Sequence, residues 1–264
     1  MGLDIAKIPT SIGYFGTNYP LFPNDGEGPL QRIKVQSFKI TTTAITNSQF
    51  LQFVKDTNYT TDAEKYGWSF VYRDSLIDKS KIREVSQELP LWCKIKDANW
   101  KFPKGQNYNV KNFDNLPVVH ISWNDAQAYA DWIEGRLPTE IEWEHAARGG
   151  LGDVIYPWGD EHPSSSDKKC NFGLSNIESP KADLIGPIDV KSFDSNGYGL
   201  YNMVGNVWEW TQTINKKVQQ DSQIVLKGGS YLCHPKRCYR YRIASKIFNT
   251  HNTSTGHIGF RVVF

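Results

Sequence analysis

The sequence has few cysteines and no long apolar run. Four cysteines among 264 residues are too few for a scaffold held by disulfides, and a chain of this length can bury a core without them. No apolar stretch approaches the roughly 20 residues that cross a bilayer. The opening residues, MGLDIAKIPT, show no basic stretch followed by an apolar one. We therefore expect no membrane partner, no secretory signal and a cytoplasmic protein.

An excess of charge of one sign is also missing. The 30 basic residues nearly balance the 28 acidic ones, and the formal net charge is +2. This balance argues against a nucleic-acid partner held by bulk positive charge. The charged fraction of 22% is ordinary for a folded chain, so disorder is not expected.

Aromatic residues are abundant, at 13% of the chain, and 21 glycines and 13 prolines accompany them. This composition indicates many turns and short elements, with aromatic side chains packed between them. The sequence contains no internal repeat and no linker. We therefore predict a single α+β domain over residues 1–264 with little regular secondary structure, and we expect a monomer.

Three helices are predicted from capping motifs followed by apolar residues at helical spacing. The first follows Thr46 and runs to about residue 57. The second begins near Ser122 and ends at Gly135, and the third runs from Thr139 to Gly149. Alternating polar and apolar residues predict a strand over 32–40, and short strands are expected at 224–227 and 259–264.

Several short motifs in the second half of the chain are unusual in combination. They are RLPTE at 136–140, EWE at 142–144, NGYGLYN at 196–202, GNVWEW at 205–210, KGGSY at 227–231 and GFR at 259–261. This string resembles the formylglycine-generating enzyme family, the sulfatase-modifying factors, whose fold is related to that of C-type lectins. The resemblance covers nearly the whole chain, because NYTTDAEKYG at 58–67 and DANW at 97–100 also match. It implies the formylglycine-generating-enzyme fold.

Cys233 and Cys238 lie five positions apart, and Pro235 between them favours a tight turn. From the residues alone three interpretations stay open: a disulfide or two buried thiols, a zinc site, and a two-thiolate site for a soft ion. Zinc is disfavoured because it needs two further nitrogen or sulfur ligands, whereas Cu(I) favours thiolates. A nearby basic cluster would favour the thiolate form, unless it is only a solvated surface. The cluster comprises Lys236, Arg237, Arg240 and Arg242.

The resemblance implies that Cys233 and Cys238 are the Cu(I) ligands of an oxidase. In that family the substrate cysteine, within a Cys-x-Pro-x-Arg motif of an unfolded sulfatase, joins the copper ion as a third thiolate. Dioxygen then oxidises this cysteine to Cα-formylglycine. By position, Ser230 would line the oxygen pocket and Trp208 would wall it off from water. The plainer roles of a turn residue and a core aromatic are compatible with these functions.

The resemblance also implies a groove for the substrate polypeptide. Phe70 and Trp92 would line this groove, and His234 and His257 are predicted to bind substrate. His234 is not expected to bind copper, although it adjoins one of the copper ligands. The chain departs from the family at Trp68, where members often carry an acidic residue that is implicated in gripping the substrate arginine. The recognised sequence is therefore open.

Two calcium sites are implied as well. The first would use the side chains of Asn202 and Glu209 and the carbonyl groups of Gly205 and Val207, and such oxygen ligands suit Ca²⁺. The second site comprises Asn171, Asp183 and Ile185. As plainer alternatives, Asn202 would be a turn residue and Glu209 a surface carboxylate.

Two other functions compete with the oxidase. A non-catalytic member of the superfamily would bind a protein or a carbohydrate on its loop-rich face, but it would have no chemical use for the two cysteines. An iron-dependent sulfoxide synthase would need a site of three histidines. This class is disfavoured because the six histidines are scattered along the sequence. They are His120, His145, His162, His234, His251 and His257.

Overall fold

The computed structural model describes residues 2–76, 78–87, 89–106, 112–164, 167–173, 185–215, 223–235 and 238–264. Within these ranges the strands are β1 (Ile5–Ile8), β2 (Ser11–Phe15), β3 (Gln31–Val35), β4 (Phe38–Thr41), β5 (Trp68–Tyr72), β6 (Ile82–Val85), β7 (Trp92–Lys96), β8 (Trp208–Asn215), β9 (Gln223–Lys227), β10 (Lys246–Thr250) and β11 (Ile258–Gly259). The α-helices are α1 (Asn47–Thr57), α2 (Asp62–Tyr66), α3 (Trp123–Trp132) and α4 (Glu140–Arg148). These short helices and strands confirm the predicted α+β class.

The described strands form four small sheets. β1 pairs with β4 and β2 pairs with β3, both in antiparallel fashion. In a third sheet, β7 lies between β5 and β6 and is antiparallel to both. The fourth sheet has the order β10-β9-β8-β11, and β11 runs parallel to β8. The candidate site is built from two segments that adjoin this fourth sheet, one at the start of β8 and one after β9.

Capping boxes start the helices. In each box the side chain of the first residue accepts a hydrogen bond from the backbone amide three residues later. The side chain at that later position accepts the backbone amide of the first residue in return. The first residues are Thr46, Ser122 and Thr139. These caps confirm the three predicted helices. Helix α2 begins in the same way at Thr61 and Glu64, but sequence analysis missed it because its five residues are too few to show a helical period. None of the described helices is long and apolar enough to cross a membrane.

Two strand predictions were only partly right. The strand predicted over 32–40 is split into β3 and β4, which pair with different partners. Between them the Ser37 amide donates to Thr10 Oγ1 at 3.0 Å, so the chain leaves one sheet before it enters the next. The strand predicted over 259–264 is regular only in β11, because Val263 makes isolated bridges to two other segments instead.

Among the described residues, the two larger of three apolar clusters form separate cores. The larger core is rich in aromatic side chains, among them Phe50, Trp100, Tyr129, Trp143, Trp210 and Phe260. The smaller core lies behind the β5–β7–β6 sheet and comprises Val71, Leu76, Cys93, Ile95 and Ala98. Because burial of apolar area is the main source of stability, each core holds its own part of the chain in place. The β5–β7–β6 sheet therefore packs mainly on its own apolar core.

Candidate active site at a pair of cysteines

Two glycines turn the chain from β9 into the candidate site. Gly228 and Gly229 have φ angles of 97° and 76°, in the left-handed region that favours glycine. A Cβ atom at Gly229 would lie 2.6 Å from the carbonyl oxygen of Arg240, so the chain before and after the loop passes close together. Ser230 is fully buried, and its carbonyl oxygen accepts the amide of Cys233 at 2.9 Å. The glycines thus permit a closed loop that carries both cysteines.

This cysteine loop brings the two sulfur atoms together. The amides of Cys238 and Tyr239 both donate to the carbonyl oxygen of His234, at 2.9 and 3.1 Å. The Sγ atoms of Cys233 and Cys238 lie 3.0 Å apart, and both thiols are free. A disulfide bond is about 2.05 Å long, so the sulfur atoms are in hydrogen-bonding contact without a covalent bond. Cys233 is buried, whereas Cys238 is half-buried.

The two thiols differ in how readily they ionise. The hydrogen bond from Cys233 lowers the pKa of Cys238 against the opposing effect of burial, and the guanidinium of Arg240 lowers it further. The pKa of Cys233 is raised well above its ordinary value because this thiol makes that hydrogen bond and is buried. A thiolate at Cys238 facing a thiol at Cys233 is therefore favoured. Lys236 and Arg237, also predicted to favour a thiolate, lie outside the described residues.

Arg240 is held from the opposite end of the chain. Its Nε and Nη2 atoms lie 3.0 and 2.8 Å from one carboxylate oxygen of Asp25. Its guanidinium carbon lies 3.8 Å from the centre of the Phe22 ring. Sequence analysis did not find Asp25 or Phe22, because Asp25 and Arg240 are 215 positions apart and no local motif links them.

A buried carboxylate holds the neighbouring Arg242. Glu27 accepts Arg242 Nη2 at 2.6 Å, Ser245 Oγ at 2.9 Å, and the amides of Leu21 and Phe22 at 2.9 and 3.0 Å. Burial alone would raise the pKa of Glu27, but these bonds outweigh it and lower the pKa. Both side chains of the ion pair are buried. Arg242 is therefore not part of a solvated surface.

Two hydrogen bonds link the cysteine loop to β5. The hydroxyl of Tyr231 donates to the carbonyl oxygen of Gly256 at 2.9 Å, and the Gly256 amide donates to the carbonyl oxygen of Phe70 at 3.2 Å. Trp208 is buried at the start of β8, and its amide donates to the carbonyl oxygen of His257 at 2.9 Å. The segment that contains Gly256 and His257 therefore joins the cysteine loop to the predicted groove. Tyr231 lies within a recognised motif, but its bridging role was not predicted.

Three of the predicted substrate-binding residues come together at this segment. The rings of Trp92 and His257 have centroids 4.5 Å apart, and Phe70 bonds to the same segment through its backbone. Further rings extend the group, because Tyr72 packs 5.9 Å from Trp92 and Trp68 packs 5.1 Å from Phe70. We refer to Phe70, Trp92 and His257 as the aromatic patch. Its members are half-buried and present mostly apolar ring surface.

The two predicted substrate-binding histidines occupy different places. Burial lowers the pKa of His257 to about 3, and the nearby His120 lowers it further, so the His257 ring is uncharged at neutral pH. The Nδ1 atom of His257 lies 2.5 Å from Thr255 Oγ1. His234 lies on the cysteine loop. A Cβ atom added at Gly173 would lie 3.3 Å from the Cβ atom of His234. The structure thus places His257 at the aromatic patch and His234 on the cysteine loop, next to Cys233 in the chain.

The first predicted calcium position contains a buried oxygen without a partner. Among the described residues, Oδ1 of Asn202 has no hydrogen-bond partner, although its Nδ2 donates to the carbonyl oxygen of Asp189 at 3.2 Å. Leaving a buried acceptor unpaired costs about 1 to 3 kcal/mol, and a bound cation would satisfy it. Gly205 and Val207 lie in the same buried segment. Asn202 also has the positive φ angle, 49°, of a turn residue.

Glu209 is engaged with other partners. Its Oε2 accepts Arg261 Nε at 2.6 Å and Trp143 Nε1 at 2.7 Å, and its Oε1 accepts Arg261 Nη2 at 2.8 Å. All three side chains are fully buried, so Glu209 is not a surface carboxylate. A carboxylate offers about four acceptor positions, and three of them are used here. Arg261 neutralises the charge of the Glu209 carboxylate, and the calcium role of Glu209 stays a prediction.

The second predicted calcium position is only partly described. Asn171 Nδ2 donates to the carbonyl oxygen of Gly186 at 3.2 Å and to Asn206 Oδ1 at 3.1 Å, which brings Asn171 beside the buried Ile185. Asp183 lies outside the described residues. The amide of Asn206 also donates to the carbonyl oxygen of Asn171 at 2.8 Å. Asn206 therefore ties together the segments of both predicted sites, a role that sequence analysis missed.

The histidines do not gather into a ligand set. His120 Nδ1 lies 2.8 Å from Ser69 Oγ, and His145 Nε2 lies 3.1 Å from Ser11 Oγ, in separate parts of the fold. Among the residues that the structure describes, no group of three or more His, Cys, Asp and Glu side chains is arranged to hold a metal ion. All six histidines are described, so this arrangement gives no support to a three-histidine iron site.

Comparison with known proteins gives a consistent result. The family model described as the sulfatase-modifying factor enzyme 1-like domain matches residues 8–264. The formylglycine-generating enzyme of Thermomonospora curvata is 42% identical over 283 aligned residues, which cover 98% of this chain and 93% of that protein. The formylglycine-generating enzyme of Mus musculus is 40% identical over 276 aligned residues, which cover 97% of this chain and 74% of that protein.

Two further similarities widen the comparison. A Bos taurus protein named inactive C-alpha-formylglycine-generating enzyme 2 is 36% identical over 264 aligned residues, which cover 98% of this chain and 87% of that protein. Among solved structures, PvdO from Pseudomonas aeruginosa has a TM-score of 0.68 at 18% identity, with coverage of 98% and 93%. At that identity the likeness concerns the fold alone.

Proposed function

The chain belongs to the sulfatase-modifying factor enzyme 1-like family, and we propose that it converts a cysteine of a sulfatase polypeptide into Cα-formylglycine. The observation that carries this proposal is the pair of free sulfur atoms, 3.0 Å apart on one loop. The hydrogen bonds of Tyr231 and Gly256 connect this pair to the aromatic patch. The relatives that bear the name formylglycine-generating enzyme, at 40% and 42% identity, support the same activity.

The proposed reaction is an oxidation by dioxygen. The bond between Cβ and Sγ of the substrate cysteine breaks, and a C=O bond forms at Cβ. One O₂ molecule, with two electrons and two protons from a thiol reductant, converts R–CH₂–SH into R–CHO, H₂S and H₂O. Dioxygen is reduced, the Cβ carbon is oxidised, and the sulfur leaves as sulfide.

We propose Cu(I) as the metal of this site, with Cys233 and Cys238 as its ligands. The donor atoms fit this ion, because they are two soft sulfur atoms that face each other and one of them has a lowered pKa. Thiolates select soft ions such as Cu(I), and hard cations prefer oxygen. When bound, the ion would supply a centre that binds thiolate sulfur and activates dioxygen.

Other residues of the chain would prepare the substrate for this chemistry. Ser230 lies fully buried on the cysteine loop, and Trp208 packs in the same apolar core as Cys233. Both would keep bulk water away from the sulfur atoms, which protects reactive oxygen species from side reactions. The aromatic patch would hold the peptide on either side of the target cysteine through apolar contact.

We also propose calcium as a structural ion. At the first position Asn202 Oδ1, which has no hydrogen-bond partner in the described part of the chain, supports it, with the carbonyl oxygens of Gly205 and Val207 as further ligands. At the second position support is limited to the closeness of Asn171 and Ile185. Added calcium should raise the melting temperature of the chelator-treated protein, and Asn202→Ala should reduce that rise. An equal rise in the variant would contradict the first position.

Oxidation of a peptide tests the proposed function. The protein is loaded with Cu(I) and given a Cys-x-Pro-x-Arg peptide with a thiol reductant in air, and mass spectrometry follows the conversion of cysteine to formylglycine. Conversion is expected for the natural chain and should be lost in Cys238→Ser. The matched control is Cys93→Ser, the same exchange at a buried thiol on the inward face of β7, which should keep the activity. Full activity of Cys238→Ser would refute the role of the sulfur pair.

A non-catalytic role is the second candidate, and the 36% identical relative with an inactive name favours it. An unchanged peptide together with no binding of Cu(I) would support this alternative. We further propose that the chain works in the cytoplasm. The free state of all four cysteines supports a reducing compartment, where thiols persist.

A further inference from the structure

The outward face of the β5–β7–β6 sheet carries aromatic and basic side chains next to each other. Side chains along β5 and β7 alternate between this face and the buried one, because successive residues of a strand point to opposite sides. Trp68, Phe70 and Tyr72 of β5 therefore share the outward face with Lys94 of β7. The strand register pairs Phe70 with Lys94 and Trp68 with Lys96.

One lysine packs on the ring of Trp68, and a second lysine is the register partner of Trp68 on β7. Lys94 Nζ lies 4.8 Å from the ring centre and 2.9 Å from the carboxylate of Glu84. Lys96 is exposed, and it has no salt-bridge partner within the described part of the chain. A cation already covers Trp68, and the charge of Lys96 adds to it. A cationic side chain of a substrate would therefore be repelled here, while a carboxylate would be attracted.

A basic cavity adjoins Lys96. It has a volume of 680 Å³, and its lining includes Lys81, Arg83 and Lys96 against the single carboxylate of Asp97. Lys81 Nζ donates to the carbonyl oxygen of Gln106 at 2.6 Å, a neutral partner that orients the ammonium group without balancing its charge. The cavity lies at the Lys96 end of the sheet, where Lys81 also approaches Gly105 beside the buried Ile95, so it adds positive charge at the edge of the sheet face. We define the basic face as Lys81, Arg83, Lys94 and Lys96.

We propose that the basic face binds carboxylate side chains that flank the target cysteine of the substrate polypeptide. The inference rests on the proposed function, because it requires a substrate chain lying across the aromatic patch. Charge complementarity selects the occupant, since cations outnumber carboxylates on this surface. The proposed position of the substrate chain is also supported by two hydrogen bonds, which connect β5 to the cysteine loop through Phe70, Gly256 and Tyr231.

Peptide binding tests this inference directly. Three peptides carry serine in place of the target cysteine and differ only in two flanking residues, which are Glu, Gln or Lys. A second set places these residues on the other side of the serine. Calorimetry at low salt gives the dissociation constants for the full chain. In one of the two sets the Glu peptide should bind about fivefold more tightly than the Gln peptide, as expected for an exposed ion pair, and the Lys peptide should bind most weakly.

A charge reversal assigns the preference to this face. Lys96→Glu should abolish the preference for the Glu peptide. The matched control is Lys7→Glu, which makes the same change of net charge at an exposed position of β1, in a different sheet. This control should keep the natural order of the three peptides. Circular dichroism verifies that both variants fold.

Each outcome decides the inference. Equal binding of the three peptides in both sets, or tightest binding of the Lys peptide, overturns it, and so does an equal loss of preference in Lys7→Glu. Conversion of the cysteine form of the Gln peptide is measured separately. Conversion without any preference for Glu contradicts this inference alone. A preference for Glu without conversion supports the basic face as a binding surface and contradicts the proposed function.

Discussion

The cysteine loop and the outward face of the β5–β7–β6 sheet are supported in opposite ways. Behind the loop, the ion pair of Glu27 and Arg242 has side chains that are only 0% and 5% exposed, and four hydrogen bonds converge on its carboxylate. On the sheet face, the pair of Lys94 and Glu84 is 26% and 54% exposed. The first pair is shielded from water and salt, whereas the second is not.

Under the proposed function, this difference separates the residues that would carry the chemistry from those that would recognise the substrate. A buried pair with satisfied hydrogen bonds allows one arrangement, because breaking it leaves an unpaired charge away from water. An exposed pair contributes little and can be replaced without disturbing the fold. We infer that the residues around the sulfur pair tolerate little change, while the exposed charges of the sheet face are free to vary among relatives.

The largest expected effect comes from the buried support. Glu27→Gln should lower the free energy of unfolding by about 3 to 5 kcal/mol, because it leaves Arg242 buried without its counter-ion. Urea unfolding measures this loss. The control is Asp4→Asn, which removes the carboxylate of an exposed pair with Lys191 and should change stability by less than about 1 kcal/mol. Equal losses of unfolding free energy in the two variants would show that the buried and the exposed ion pair contribute equally to stability.

Acid should weaken the same support. The pKa of Glu27 in the folded chain lies below its ordinary value of 4.5, so its contribution to stability is complete at neutral pH. The contribution is lost as the pH falls below 4.5 and through the lower folded pKa. Unfolding free energies of the natural chain and Glu27→Gln should therefore converge in acid. A constant difference at all pH values would contradict this assignment.

A smaller effect is expected at the aromatic patch. Trp92→Leu removes the ring contact with His257 and should cost about 1 kcal/mol of stability, since aromatic pairs contribute about that much beyond their burial. The KM for the cysteine peptide should rise while kcat stays nearly unchanged. A fall in kcat at constant KM would instead place Trp92 in the chemical step and remove the distinction between the two regions.

The smallest effect is expected on the sheet face. Glu84→Gln breaks the exposed pair with Lys94, leaves Lys94 over the Trp68 ring, and should change the free energy of unfolding by less than about 0.5 kcal/mol. Thermal and urea unfolding would measure it. A loss as large as that of Glu27→Gln would show that this face is as tightly held as the cysteine loop.

Local features were predictable because their causes lie within a few residues. The capping boxes at Thr46, Ser122 and Thr139 place donor and acceptor three positions apart, so the sequence shows both partners at once. The closeness of Cys233 and Cys238 was predictable for the same reason, since only a short loop separates them. The aromatic patch was found through the resemblance, because its members come from distant segments.

Other features depend on the path of the whole chain. Glu209 is predicted to bind calcium, and the sequence around it does not show that Arg261 and Trp143 also occupy most of its acceptor positions. Asp25 and Glu27 bind Arg240 and Arg242. No motif in the sequence around either carboxylate indicates this role. A carboxylate has the same sequence context whether its partner is a cation, a metal or water.

By itself, the sequence determined the family, the helix starts and the loop with two cysteines, because short-range contacts are encoded by neighbouring residues. Only the tertiary structure decided which charges are paired, which thiol is favoured as thiolate, and that Asn202 Oδ1 has no hydrogen-bond partner among the described residues. These properties arise from burial and from contacts between residues as far as 215 positions apart, and so they exist only once the chain has folded.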